Sequence, residues 1–259
     1  MNPRGRQLVF IALAKMTDLA LSIGKGYAAL ALRGFVLPVE LMTRIRKQGV
    51  KTYDYFGQVI DRLVRSLYNH QIDELEFTMT FEDLLDGQLR QAWFEGMAQN
   101  GLTEDDMTQE YETELGSILS SEHDAISGFT EAILTQEGQD HLSGENHLDA
   151  LLSRANLWQN RYQDVVNRAT LFTAADKDKQ EWVEGDTEKK CPICVALDGI
   201  VAPARVWMDL GVRPQNPPND ALSPDRDGCG GWRCGCQLVP SDKRATPNAA
   251  DVIASIVGR

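Results

Sequence analysis

The residues best suited to chemistry are five cysteines near the end of a 259-residue chain. They run Cys191-Pro-Ile-Cys194 and then, after 34 intervening residues, Cys229-Gly-Gly-Trp-Arg-Cys234-Gly-Cys236. Each short spacing aims two thiolates at one ion, and a tetrahedral zinc takes four donors. Glycines beside Cys229 and Cys234 permit turns tight enough for sulfurs to converge. His70, His123, His141 and His147 all lie elsewhere, so a local site is all-cysteine and uses four of the five. The spacing predicts Cys191, Cys194, Cys229 and Cys234 as ligands of a structural zinc. Cys236 is the spare, because a Cys-x-Cys pair seldom serves one tetrahedral ion comfortably; exchange with Cys234 stays open. Closing the intervening loop costs on the order of 3 kcal/mol, whereas a structural zinc contributes roughly 10–16 kcal/mol of apparent binding energy. Lys189, Lys190 and Arg233 lie close in sequence to offset the negative charge of four thiolates.

Two other uses of these thiols fit less well. A redox Cys191-x-x-Cys194 would leave three cysteines unexplained and has no βαβ pattern around it. Disulfides are disfavoured by the odd count and by the lack of an export signal.

Helices must carry most of the chain before this region. Tyr53, Phe56, Ile60, Leu63, Val64 and Leu67 recur at spacings of three and four, the stripe of an amphipathic helix. Phe81, Leu84, Leu85, Leu89, Ala92, Trp93 and Met97 repeat it, and Asn100-Gly101 supplies a stop. Thr103, followed by Glu104, Asp105 and Asp106, reads as an N-cap with an acidic first turn. From there Met107, Tyr111, Leu115, Ile118, Phe129 and Ile133 continue one long helix, punctuated at Gly138 and Ser143-Gly144. A last helix runs from Leu148 through Trp158 and Val166 to Ala169. Beyond Asp176 the character changes, with eight of the ten prolines and all the cysteines. Short strands are expected at Glu181–Val183 and Gln237–Val239, a loop from Pro214 to Pro224, and a helix from Ala249 to Val257. The predicted organisation is a basic arm (1–51), an acidic helical body (52–175) and a small loop-rich α+β module (176–259) stapled by zinc.

Charge divides the chain as sharply. The formal balance of −12 excludes a generally basic nucleic-acid binder. Residues 1–51 nevertheless hold nine Lys or Arg against Asp18 and Glu40, a balance of +7, while residues 72–147 hold nineteen Asp or Glu against Arg90 alone, a balance of −18. The apolar stretch from Leu8 to Val39 is interrupted by Lys15, Asp18, Lys25 and Arg33, and no uncharged run reaches the ~18 residues of a spanning helix. It reads as a packing helix broken near Gly24 and Gly26, and no membrane contact is expected. No nucleophile–base pair, phosphate loop or paired carboxylates can be placed, so the sequence predicts a protein without catalytic activity.

One set of residues resembles a known family. Trp182-Val183, Cys191-x-x-Cys194, Leu197-Asp198-Gly199, Ala204-x-x-Trp207, Gly211-Val212-x-Pro214 and Cys234-x-Cys236-x-Leu238-x-Pro240 look like the C-terminal domain of phage head-morphogenesis, or minor head, proteins of the Mu F-like group. The resemblance covers roughly residues 150–242. The commoner family form has His-Pro-Asn before the Cys-x-Cys pair; Gly231-Trp232-Arg233 stands here instead, and Cys229 reads as the substitute for that histidine. The resemblance implies a virion structural protein, associated with the portal and capsid proteins, acting in head assembly or in DNA packaging and delivery. It would reside in the head interior or at the portal vertex after assembly in the host cytoplasm, with the basic arm touching DNA or an acidic portal rim. Without the resemblance, a zinc-stapled cellular adaptor fits the same residues.

Overall fold

The computed structural model describes residues 52–185, 191–215 and 235–258. The arm at 1–51, Cys229 and Cys234 lie outside the described residues. Those described are mainly helical, with one three-stranded antiparallel sheet. In order they form α1 (Thr52–Tyr68), α2 (Glu74–Gln99), a 3-10 turn (Glu104–Asp106), α3 (Gln109–Ser143), α4 (Leu148–Ala155) and α5 (Leu157–Phe172). There follow β1 (Lys179–Val183), α6 (Pro192–Leu197), β2 (Val201–Pro203), α7 (Ala204–Asp209), β3 (Gln237–Pro240) and α8 (Ala249–Val257). Two compact units result. Of the described residues, the first takes those from 52 to 88 with Ile118–Asn156; the second takes Leu89–Ser117 with those from Leu157 onward. The division passes through both α2 and α3.

The first unit is a helical bundle built on the expected stripes. Phe56, Ile60, Leu63, Val64 and Leu67 of α1 are buried, as are Phe77, Phe81, Leu84 and Leu85 of α2, and Leu148, Leu151, Leu152 and Ala155 of α4. Phe77 and Phe81 meet edge to face at 5.7 Å, a favoured arrangement for aromatic rings. One buried carboxylate joins three helices. Asp140, on the last turns of α3, accepts from the Tyr68 hydroxyl at 2.5 Å, from Gln136 Nε2 at 2.9 Å, and from both the backbone N–H (2.8 Å) and the ring Nδ1 (2.6 Å) of His147. His147 is the N-cap residue of α4, so the end of α1, the end of α3 and the start of α4 share one acceptor. Burial works against the ionised carboxyl, but the hydrogen bonds from Tyr68, His147 and Gln136 outweigh it and hold Asp140 well below the usual carboxylate range. The same hydrogen bond pushes the Tyr68 hydroxyl up to about 12, and the bond to Asp140 raises the His147 imidazole above its ordinary value.

In the second unit α5 is buried on almost every side: Trp158, Asp164, Val165, Val166, Asn167, Ala169, Thr170 and Leu171 are all covered. Gly96 of α2 lets the two helices touch. A Cβ there would lie 2.6 Å from Ala169 Cβ and would run into the Val166 carbonyl oxygen. Thr170 Oγ1 donates within its own helix to the Val166 carbonyl at 2.9 Å, and Asn100 Nδ2 donates to the Thr170 carbonyl at 2.7 Å. Asp164, 3% exposed at its side chain, is held by Arg161 at 2.7 Å and Arg213 at 3.0 Å. The sheet has the order β2-β1-β3. β1 pairs with β2 through Gln180↔Ala202 and with β3 through Trp182↔Leu238. Trp182 packs its ring at 5.7 Å from Trp207 of α7, and Trp207 Nε1 donates to the Gln180 carbonyl at 3.2 Å. Around this pair lie Leu197, Ala202, Val212, Leu238, Ile253 and Val257, the core of the module.

The structure departs from the sequence reading at four points. Thr103 caps a 3-10 turn rather than α3: its N–H and hydroxyl both reach Asp106 Oδ2, at 2.8 and 2.9 Å, and the long helix starts at Gln109. Gly138 does not interrupt α3, whose stop is Gly144 at φ +74°. The expected helix from Leu148 to Ala169 breaks at Asn156 into α4 and α5. β2, α6 and α7 were not anticipated, being three to six residues long, too short for periodicity to register. The stop after Gln99, the strands within β1 and β3, and α8 stand where the sequence put them.

Two expectations follow. Helical Gly96 and Gly128 should respond oppositely to alanine, since Gly128 has open space at its Cβ position whereas Gly96 meets backbone. Thermal or urea unfolding should show Gly128→Ala stabilised by about 0.4–1 kcal/mol and Gly96→Ala destabilised by about 1–3 kcal/mol. The Asp140–His147 pair should make the first unit sensitive to pH. Its depressed carboxyl contributes stability above pH 3.8 that is lost on acidification through the lowered folded value. Its raised imidazole contributes below pH 6.5 what is lost as pH climbs through the raised folded value. The advantage of the native protein over Asp140→Asn should thus peak between these limits and shrink toward alkaline pH. NMR titration of His147 should return to the ordinary range in that variant.

Candidate metal centre

Each described cysteine is placed by neighbours that leave it little freedom. Cys191 is the N-cap residue of α6 and Pro192 its first helical residue, a position that suits a ring with fixed φ and no N–H. Cys194 follows three residues later, which brings both thiols to one side of the helix. They are 4% and 5% exposed. At the far end of α6 the Leu-Asp-Gly segment ties the pair to the sheet. Leu197 is fully buried in the core. Asp198 Oδ1 accepts the Glu184 N–H at 2.8 Å. Gly199, at φ +74°, turns the chain so that its own N–H reaches the Trp182 carbonyl at 2.9 Å. The three-residue motif therefore joins α6 to β1.

Cys236 is fixed from the other side of β1. Its carbonyl accepts from Asn167 Nδ2 at 3.3 Å and from Gln215 Nε2 at 3.0 Å. The Asn167 carboxamide oxygen in turn accepts the Leu238 N–H at 2.9 Å, and Gln215 Oε1 accepts from Asn167 Nδ2 at 2.6 Å. The Cys236 sulfur receives the Gly185 N–H at 3.4 Å. Gly185 and Gly235 cross so closely that a Cβ on Gly185 would collide with the Gly235 backbone. Residues 185 and 191 flank one undescribed segment, and 215 and 235 flank the other, which carries Cys229 and Cys234. Gly185, Gln215 and Gly235 all lie at Cys236 or beside it.

Cys191, Cys194 and Cys236 are buried and belong to one core cluster. Among the described residues no group of three His, Cys, Asp or Glu is arranged to hold a metal ion. The two predicted ligands that are described, Cys191 and Cys194, thus share one short helix, while predicted ligands Cys229 and Cys234 fall outside the description. Two buried thiols three residues apart are a donor pair that zinc can use, while the Gly185 N–H and the glycine crossing lie at Cys236, the predicted spare. The residues that hold this region in place and escape a motif search are Asn167, Gln215 and Gly185. Asn167 had a readable signal, a carboxamide among Val165, Val166 and Ala169 in a helix otherwise rich in core residues. Gln215 and Gly185 had none.

No protein-family model, curated protein or solved structure matches this chain.

Asn167→Leu keeps the branched heavy-atom shape but strands the Leu238 N–H and removes a donor from the Cys236 carbonyl. Each buried group left without a partner costs about 1–3 kcal/mol, so denaturant unfolding should show a loss of about 2–4 kcal/mol for the second unit. Hydrogen exchange at Leu238 should accelerate before exchange in α1 does. Unchanged protection at Leu238 would contradict the pinning role.

Proposed function

We propose that this chain is a structural assembly protein of a tailed-phage or prophage head, a minor head protein whose C-terminal module is stapled by one zinc. The observation that supports this reading is where the residues carrying the family resemblance lie. Trp182, Cys191, Cys194, Leu197, Ala204, Trp207, Val212, Cys236 and Leu238 form one core, and Asp198 and Gly199 join its parts. A motif whose members are buried against one another specifies a shape. A module of that kind suits repeated docking in a particle.

Cys191 and Cys194, with Cys229 and Cys234, would hold the zinc, and Cys236 would remain a core thiol under the Gly185 N–H. Bound zinc would supply cross-linking of the loop to α6, with no part in catalysis. The acidic body would keep packaged DNA from adhering along its length. The portal and capsid proteins are the expected partners, with DNA contact through residues 1–51. Among the described residues no helix is long and apolar enough to cross a membrane.

Metal analysis and co-purification test this together. The purified protein should carry one zinc per chain, retained in Cys236→Ser and lost in both Cys194→Ser and Cys234→Ser. It should also co-purify with a portal oligomer from the same phage or prophage genome. Zinc lost in Cys236→Ser but retained in Cys234→Ser would exchange those two roles. A metal-free native protein with a folded second unit would reject the staple, and failure to engage the portal would favour an adaptor with a cellular partner.

A further inference from the structure

Leu75 and Met79 are 68% and 57% exposed on α2, one turn apart and off the Phe77–Phe81–Leu84–Leu85 stripe that faces the first unit's core. At spacings of three and four residues the same line continues through Glu82 and Asp86. The outer face of α2 therefore presents an apolar strip that runs into two half-buried carboxylates, Glu82 and Asp86, the latter also bonded to His123 Nε2 at 2.7 Å, with exposed Glu74 beside its beginning. Arg90 is the sole Lys or Arg between residues 72 and 147, so the sequence about the strip is strongly acidic. A ligand for such a face is apolar and basic at once.

The chain carries such a segment itself. Residues 8–39 are apolar, with Lys15, Lys25 and Arg33 at intervals of eight to ten residues. Reach permits the contact. α1 spans about 25 Å at 1.5 Å per residue, and its connection to α2 adds at most about 17 Å. Roughly 13 extended residues cover that path, which leaves everything up to residue 39 free to arrive. A tether of that length keeps the segment at an effective concentration near millimolar, above that of any free competitor of similar affinity. Left in water, the same segment would be an association-prone surface and a non-specific binder of anions.

We infer that the Leu75–Met79 strip of α2, with Glu82 and Asp86, is the docking site of residues 8–39 of the same chain. The segment is sheathed there until a stronger acidic partner displaces it. This holds independently of the head-protein reading, which concerns the cysteine module. The test uses the full chain with a photo-crosslinking side chain at Met79, and at Leu142 as a control that is 88% exposed. Irradiation at micromolar protein should give a species of monomer size in which Met79 is joined to peptides within residues 8–39. The yield should drop about tenfold in Lys15→Glu/Lys25→Glu/Arg33→Glu, equivalent to a change of ~1.4 kcal/mol in docking, and should fall with added salt. Crosslinks between two chains would overturn the proposal in favour of self-association. Equal capture from Leu142, no capture of residues 8–39, or a yield untouched by charge reversal would each overturn it as well.

Discussion

Strand β3 lies at the edge of a three-stranded sheet, and the backbone groups on its outer side point into the protein instead of into water. Among the described residues no further strand supplies their partners. Asn167 does, by offering a donor to the Cys236 carbonyl and an acceptor to the Leu238 N–H, the pair of groups a neighbouring strand would have offered. A helix can substitute for a strand in this way only if it approaches closely and carries a carboxamide at the right turn. The approach of α2 to α5 at Gly96 and the ion pairs on Asp164 brace the helix that makes the substitution. Cys236 takes its position from the same contact, and so does the crossing of Gly185 and Gly235. The arrangement of the cysteine region therefore rests on a side chain that is not itself a candidate ligand.

The first unit solves a related problem with a charge. Asp140 collects donors from α1, α3 and the start of α4, whereas Asn167 accepts from β3 and donates to Gln215 and the Cys236 carbonyl. The chemical difference has a consequence. A carboxamide does not titrate, so the contact on β3 is indifferent to pH. A buried carboxylate survives only with several hydrogen bonds to its ionised form, and one of these comes from an imidazole that is itself half exposed. The junction of three helix ends in the first unit is thereby sensitive to pH.

Periodic features were legible in the sequence because burial of a helix face dictates spacing regardless of what lies opposite. The α1 stripe, the Asn100-Gly101 stop and the α8 helix follow from that rule alone. The same logic fails for α6 and α7, which have six residues each. Their existence depends on Leu197 and Trp207 entering a core assembled from distant segments. Thr103 illustrates a subtler miss: its side chain and the Asp106 carboxylate satisfy each other locally, and the favourable cap closes a 3-10 turn before the long helix begins. The five cysteines were plain as a pattern, and Cys191 and Cys194 as a pair. The contacts that position Cys236 were not, since they come from residues 167, 185 and 215, which share no sequence spacing.

Helices of six residues and strands of three to five have too few internal hydrogen bonds to persist alone. Their stability has to come from the core between Trp182, Trp207, Leu197 and Leu238 and from pins such as Asn167 and Asp198. Those contacts help to place Cys191, Cys194 and Cys236. A zinc bound by Cys191, Cys194 and the two loop cysteines would then act unequally on the module. It would add little to the sheet, whose strands are already paired, and much to residues 216–234, whose sequence has no comparable run of large apolar side chains. In the proposed reading the ion would hold residues 216–234 against a core whose own contacts are made by other residues.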